Sequence, residues 1–379
     1  MLRWGCVDMW KSATIGSVCS TYSGGTPSTS RSDYYGGDIP WIASADLNQR
    51  RIFSVKGRIT KLGLDRSSAK MVDANTPLIA MYGATAGVSA MTHIRGAINQ
   101  AVLAMVPRNI DAEFLFQWLQ ANRDQIIDKY TQGGQPNLSG AIVRAIEMPL
   151  PGDAEQRRIA GALRDTDDLI ATLERLIVKK QAIKQGMMQQ LLTGRTRLPG
   201  FAGPWQELRL GDILTVRHGK NQHSVEVPSG RYPILATGGQ IGWADTPIYS
   251  KPSVLIGRKG TIDRPQFQDR PFWTVDTLFY TEISPIVDPR FLYYVFLMVD
   301  WRSMNEASGV PSLSSKRVEG VEVMLPLVTE QVAIRKVLDD AEHEIDTLRL
   351  RLTKARDVKT GMMQQLLTGR TRLPEELEA

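Results

Sequence analysis

The chain has 379 residues, of which 42% are hydrophobic and 23% charged, with a formal net charge of +6. That length fits two or three domains rather than one, and no run approaches the roughly 20 uninterrupted apolar residues of a membrane span. With two cysteines, Cys6 and Cys19, and four histidines, none at metal-ligand spacing, a disulfide scaffold and a four-cysteine zinc site are excluded and a bound metal is not expected. The start Met1-Leu2-Arg3-Trp4 lacks a signal-peptide pattern, so the expected home is a reducing cytoplasm.

In chain order, residues 1–152 read as a globular unit of mixed α/β structure, with Pro77 before an apolar run that reaches Gly83 and a later Phe114-Leu115. Residues 153–199 read as a long helix and its tail, and they carry 9 Lys/Arg against 6 Asp/Glu. Residues 200–328 are a second mixed unit with 13 charges of each sign, in which Pro252, Gly260 and Phe291-Leu292 repeat the earlier landmarks. Residues 329–379 are a second long helix and tail. Basicity this mild permits nucleic-acid binding without arguing for it.

The copies are related by an internal repeat. GMMQQLLTGRTRLP stands at 186–199 and again, without a change, at 361–374, 175 residues on. At the same offset Glu155-Gln156 meets Glu330-Gln331, and Leu150-Pro151 meets Leu325-Pro326. Each helix carries apolar residues at spacings of three and four. In the first these are Ile159, Leu163, Ile170, Leu173, Ile177, Ile183, Met187 and Leu191, interrupted at Thr166 and Lys180; in the second they include Ile334, Leu338, Ile345, Leu348, Leu352, Val358, Met362 and Leu366. That is a coiled-coil seam. Asp153 and Thr329 are expected N-caps, Glu155 and Glu330 suit the positive end of the helix dipole, and Gly194 and Gly369 suit the C-terminal turn. Gly186 and Gly361, inside the pattern, suit a close backbone approach or a bend. Either the seams pair within the chain, antiparallel, or they mediate homodimerisation. The intramolecular pair is preferred because a globular unit returns the chain from the far end of the first helix. It would make a rod of about 60 Å with two unlike heads related by a pseudo-two-fold axis, a geometry suited to two recognition blocks on duplex DNA.

The layout resembles the DNA specificity subunit of type I restriction–modification systems. The resemblance covers essentially the whole chain. It rests on Ser23-Gly24-Gly25-Thr26-Pro27-Ser28, on Tyr35-Gly36-Gly37-Asp38-Ile39-Pro40-Trp41-Ile42, on Gly134-Gln135-Pro136-Asn137-Leu138-Ser139, and on the Leu-Pro and Glu-Gln pairs that open each helix together with the Gln-Gln-Leu-Leu-Thr-Gly-Arg that closes it. It implies an α+β chain of two target-recognition domains separated by two long helices, each domain reading one half of a split, asymmetric double-stranded DNA target. It also implies two methyltransferase subunits using S-adenosylmethionine, two motor-nuclease subunits using ATP and Mg2+, and no catalysis in this chain. The second domain departs from the pattern: Gly219-Lys220-Asn221-Gln222-His223 stands where the first has Gly24-Gly25-Thr26-Pro27-Ser28, and Asp263 stands where glycine is frequent.

The residues agree with a non-catalytic role. There is no GxxxxGK[ST] phosphate loop and no Asn/Asp-Pro-Pro-aromatic tetrad. Asp357-Val358-Lys359 reads as a solvated helix face with Val358 on the seam rather than a nuclease fragment, and Ser139 and Ser314 have no histidine near them in sequence. For DNA contact, loop residues able to donate to base edges or phosphates are the candidates. In the first unit these are Thr26, Ser28, Tyr82, Asn99, Gln100, Gln135, Asn137 and Ser139. In the second they are Arg217, His218, Lys220, Asn221, Arg258, Lys259, Ser312, Ser314, Ser315 and Lys316. Arg258-Lys259-Gly260 is the sharpest, two cations beside a glycine at the place of Met81-Tyr82-Gly83. Trp41, Trp118, Trp243, Trp273 and Trp301 are read as core. The repeated tails raise two readings for Arg195, Arg197, Arg370 and Arg372: docking of a methyltransferase subunit, with Met187, Met188, Met362 and Met363 as apolar contacts, or capping of the helix ends. A protein-binding adaptor that homodimerises through its helices is the rival from another class.

Overall fold

The computed structural model describes residues 10–130 and 137–374. Contacts divide the chain into two units, Met1–Leu173 with Arg351–Ala379, and Glu174–Leu350. Each unit therefore contains one head, half of the first long helix and half of the second.

In the first unit a five-stranded sheet runs in the order Cys19–Ser23, Val102–Pro107, Thr76–Ala80, Ser89–Thr92 and Arg51–Ile52. Its neighbours are antiparallel apart from the last pair. Thr76–Ala80 is buried along its whole length, as a central strand covered on both faces must be. Alternation sends Leu78 and Ala80 to a core with Ile42, Leu47 and Ile52, and Ile79 to a core with Phe114, Leu115, Trp118 and Leu119 of the helix Ala112–Tyr130. A second sheet orders Arg58–Ile59, Tyr35–Ile42, Gly96–Ile98 and Lys70–Val72. The strands Lys11–Thr14 and Glu147–Leu150 pair beside the start of the first long helix.

The second unit repeats the plan with different lengths. Leu214–His218, Leu278–Ile283, Ser253–Gly257 and Gln266–Gln268 form one sheet; Glu226–Val227, Gly239–Ala244, Tyr232–Ala236 and Trp273–Thr274 form another. Ser253–Gly257 is the buried central strand. Val254 and Ile256 pack with Phe291, Leu292 and Phe296 of the helix Pro289–Met298, and Leu255 packs with Phe272, Leu278 and Tyr280.

The long helices are Asp153–Leu191 and Val328–Leu366, each of 39 residues. Within each unit their halves run antiparallel. In the first unit Thr166 lies against Met362 and Lys359 pairs with Asp167 at 2.6 Å. In the second, Lys180 pairs with Glu344 at 2.7 Å and Lys184 pairs with Glu342. The pairing is thus made within one chain, and Ile159, Leu163, Leu173, Ile334, Leu338, Ile345 and Leu366 are buried as the spacing predicts.

Several expectations change. Ile183 and Val358, repeat-equivalent seam positions, are 44% and 57% exposed, while the next residues, Lys184 and Lys359, turn inward to carboxylates. The strict seven-residue repeat through Ile170 and Ile177 reaches Lys184 and Leu191, and that through Ile345 and Leu352 reaches Lys359 and Leu366. The heptad itself thus turns the lysines inward and leaves Ile183 and Val358 one residue off it. Asp357-Val358-Lys359 is therefore not a uniformly solvated face. Asp153 lies inside the first helix and Thr329 inside the second. Gly194 and Gly369 do take positive φ, 69° and 71°. A Cβ on Gly186 or Gly361 would meet nothing within 4 Å, so neither serves a close approach. No helix among the described residues is long and apolar enough to cross a membrane.

Candidate nucleic-acid interface

In each head the candidate loops are fastened into one rim by backbone hydrogen bonds. In the first, Gly24 and Gly25 donate to the carbonyls of Asn99 and Ile98 (3.3 and 3.2 Å), and Met81 donates to Ala101 (2.8 Å). Leu138 donates to Met81 (2.8 Å), and Tyr82 and Asn137 form an isolated antiparallel bridge. Thr26 donates its hydroxyl to Gln100. The structure thus brings together Thr26, Tyr82, Asn99, Gln100, Asn137 and Ser139, with Ser28 on the same loop, bonded to Ser30. Gln135 lies outside the described residues. Gly24 is required by contact rather than by torsion: a Cβ there would stand 1.8 Å from the Ile98 carbonyl oxygen.

The second head is strung the same way. Lys220 donates to Thr274 (2.9 Å), Arg258 to Thr277 (2.8 Å), Leu313 to Arg258 (2.9 Å) and Gly260 to Pro311 (2.8 Å), and Lys259 bridges Ser312. The departures at 219–223 do not alter the fastening. Gly219 replaces Gly24, with a Cβ position 2.0 Å from the Val275 carbonyl oxygen. The Lys220 carbonyl accepts the Trp273 indole N–H at 2.9 Å, where the Gly25 carbonyl accepts Trp41 at 3.4 Å. Gly25 has no room for a side chain, since its Cβ would meet Ser68 at 2.5 Å, whereas the Lys220 side chain is exposed. Arg258-Lys259-Gly260 occupies the place of Met81-Tyr82-Gly83, with Gly260 and Gly83 both at positive φ.

The two rims differ in charge. The first offers hydroxyls, amides and the exposed Tyr82; the second offers Lys220, Arg258, Lys259 and Lys316. Arg217 pairs with Glu282 at 2.9 Å, which holds its pKa above the ordinary arginine value. His218 packs edge-on against Phe279, and Asn221 accepts from the His223 amide, an Asx turn that shapes the loop. Ser139 and Ser314 cap short helices, accepting from Ile142 and Arg317; the Ser139 hydroxyl retains a proton to donate, whereas that of Ser314 donates to Glu306 at 3.3 Å. Ser315 is the first residue of the second of these helices. Trp118, Trp273 and Trp301 are buried and Trp41 half-buried, but Trp243 is exposed, which corrects its placement in the core.

The repeated tails form a latch in each unit. Glu155 and Glu330 stand in the first turns of the long helices, as expected for the helix dipole, and are buried there. Glu330 accepts a fork from Arg197 at 2.6 and 2.7 Å, and Glu155 accepts the same fork from Arg372 and the Trp10 indole N–H. Arg197 lies over the Trp205 ring and Arg372 over Trp10, 5.6 and 5.5 Å from the centroids. Beside each latch a glutamine is wedged: Gln156 donates to the Pro151 carbonyl and accepts from Asp111, and Gln331 does the same with Pro326 and Asp288, all at 2.8 Å. Met188 is buried, and Met187, Met362 and Met363 pack against the cores. Arg195 and Arg370 are exposed. Much of the constancy of the repeat is thus accounted for by contacts inside the chain.

Sequence reasoning missed Arg264, Arg302 and Asn305, which line an open cleft of about 560 Å³ beside the turn at 258–260. Their signal was weak: Arg264 lies six residues after Arg258, and Arg302 stands 38 residues after Arg264, in a short 3-10 turn.

The profile of the family described as type I restriction modification DNA specificity domain matches residues 8–184 and 203–354, one match for each copy of the repeat. Among curated proteins, the type I restriction enzyme MjaIX specificity subunit of Methanocaldococcus jannaschii is 23% identical, with 97% of this chain and 94% of that protein covered. The EcoR124I/EcoR124II specificity subunit of Escherichia coli is 26% identical over 46% of this chain and 45% of its own length. The fold is shared with the S subunit of a type I restriction-modification system from M. genitalium, with a TM-score of 0.69, 16% identity and 99% of both chains covered. It is also shared, with a TM-score of 0.51 and 17% identity, by the corresponding subunit from Thermoanaerobacter tengcongensis, over 96% of this chain and 98% of that one. Matched over most of its length in two repeats, the chain belongs to the type I restriction modification DNA specificity family.

Proposed function

We propose that each head reads one half of a split, asymmetric DNA duplex and that the helices set the number of base pairs between the halves. The observation that carries this reading is the pair of unlike rims on a common scaffold. The same backbone bonds present hydroxyls and amides in one head and arginine and lysine in the other. Cations pair with guanine, asparagine and glutamine with adenine, and hydroxyls and backbone amides position phosphates. Two rims of different chemistry suit two different half-sites.

The chain recruits two methyltransferase subunits that use S-adenosylmethionine, and through them two ATP- and Mg2+-dependent motor-nuclease subunits; it performs no chemistry itself. The exposed Arg195 and Arg370, at the same place in both copies of the repeat, are the docking contacts that the internal latch leaves over. Replacing residues 10–150 by the matching unit of a relative is expected to change one half of the methylated target in the host genome and to leave the other half intact. A change in both halves, or in neither, contradicts the reading. Purified chain alone is expected to methylate nothing. Charge reversal at Arg195 and Arg370 is expected to weaken capture of the methyltransferase subunit without lowering the melting temperature, whereas Arg197→Ala and Arg372→Ala lower it.

A further inference from the structure

We propose that Arg302, aimed by Asp263, is a guanine-reading side chain of the second head. The inference deepens the DNA-reading role proposed above and rests on it. The cleft beside the 258–260 turn is lined by Gly260, Asp263, Arg264, Arg302, Asn305 and Pro311. Its walls are tied. The Asn305 carbonyl oxygen accepts from the amides of Ala307 and Ser312, at 3.1 and 2.9 Å, and its amide donates to the Ala307 carbonyl at 2.7 Å. Ser312 is in turn bridged to Lys259. The floor of the reading turn and the wall of the cleft are one fastened piece.

Within that piece Asp263 accepts from Arg302 Nε at 2.6 Å, the Arg302 side chain being 77% exposed and that of Asp263 27%. An exposed pair of this kind stabilises a fold little, and this one is not shaped for stability. Arg31 engages Asp33 with both Nε and Nη2, at 2.9 and 2.7 Å. Arg302 gives its carboxylate Nε alone, so among the described residues its two terminal nitrogens have no protein partner. Those nitrogens present a pair of parallel N–H donors, the pattern that matches O6 and N7 of guanine in the major groove. The carboxylate fixes the direction of a side chain that otherwise sweeps many rotamers. Arg264 and Lys259, exposed beside it, are placed for phosphates. The first head has Ala86 where the second has Asp263, at the offset of 177 that sets Tyr82 on Lys259. The device is therefore confined to one head, as a reader of one half-site is.

The test is selection of bound duplexes from a randomised DNA library by the full chain at about 50 mM salt, where phosphate contacts are strong. Wild-type chain is expected to enrich a split motif; if it enriches none, the DNA-reading role of the heads fails, whatever Arg302 does. Arg302→Ala is expected to reduce the preference for guanine at one position of one half by about 5- to 140-fold, the equivalent of about 1–3 kcal/mol, with every other position kept. Arg302→Lys, which keeps the charge and loses the fork, is expected to keep the salt dependence of wild-type binding while also losing preference at that position. Asp263→Asn is expected to loosen the same position to a smaller extent. An unchanged motif overturns the proposal. So does uniform weakening that lysine restores, which would make Arg302 a phosphate contact, or a change at a different position in Asp263→Asn.

Discussion

The two units solve the same fastening problem with partly different residues. Leu163 and Leu338, 175 apart, are both fully buried. Trp10 donates its indole N–H to Glu155 while that of Trp205 is buried without a partner among the described residues, but the arginine–glutamate fork and the glutamine wedge recur. The charged anchor between head and helix does not. In the first unit Asp167 gathers Lys359, Gln117 and Arg51, and Arg51 is held from the other side by Glu113. In the second unit Glu342, the equivalent of Asp167, pairs with Lys184. The head is anchored instead by Asp339, one turn earlier, which takes Arg290, Tyr294 and Arg335. Burial and the neighbouring carboxylate push the Tyr294 hydroxyl well above the ordinary tyrosine pKa, so it stays a donor. Contacts between the helix ends and the cores are alike in the two units because both partners are repeated. Contacts that involve a head differ because the two heads differ in sequence.

That contrast can be broken from several sides. Asp167→Ala removes the partner of a lysine whose side chain is 7% exposed, and burial already holds the Lys359 pKa below its ordinary value. Such a change is expected to cost about 3–5 kcal/mol in denaturant unfolding. Glu342→Ala, with a more open pair, is expected to cost less; an equal loss would show that the extra contacts of Asp167 contribute nothing. Leu163→Ala and Leu338→Ala are each expected to cost about 2–5 kcal/mol and to agree closely, because the positions are equivalent. A gap between them beyond 2 kcal/mol or so would refute that equivalence.

Gly24→Ala and Gly219→Ala each drive a methyl into a carbonyl oxygen. An expected cost of about 1–3 kcal/mol should come with loss of binding to one half-site only, a different one for each variant. The smallest effect concerns pH. Burial and the nearby Arg51 guanidinium hold His93 below its ordinary pKa of 6.5, with Glu113 partly opposing. The unfolded chain then binds the proton more readily than the folded one. Stability from this group is complete above pH 6.5 and is lost as pH falls from there toward the depressed folded value. Thermal melts of His93→Gln should lose this slope between pH 7 and 5, and an unchanged slope would assign it to another group.

Much of this was open to reading in the residues. The repeat, the helix pair and the loop glycines are local or periodic signals, and the structure bears them out. Residues decided by a distant partner were less open. Glu155 and Glu330 do stand in the first helical turns, but their pairing with Arg372 and Arg197, more than a hundred positions away, left no mark in the order of the chain. Val358 is the apolar residue, but the heptad through Ile345 and Leu352 falls on Lys359, which is turned inward to Asp167. Arg302 carried no local mark at all, since its meaning comes from Asp263, 39 residues earlier.

The sequence by itself determined the duplicated plan and the two long helices with their buried stripe, because each follows from spacing; the close backbone approach at Gly24 and Gly219 came with the fold. Only the tertiary structure decided which charges are internal fasteners and which remain on the surface. Burial of a charge depends on the partner that compensates it, and that partner is brought near by folding, not by the order of the chain.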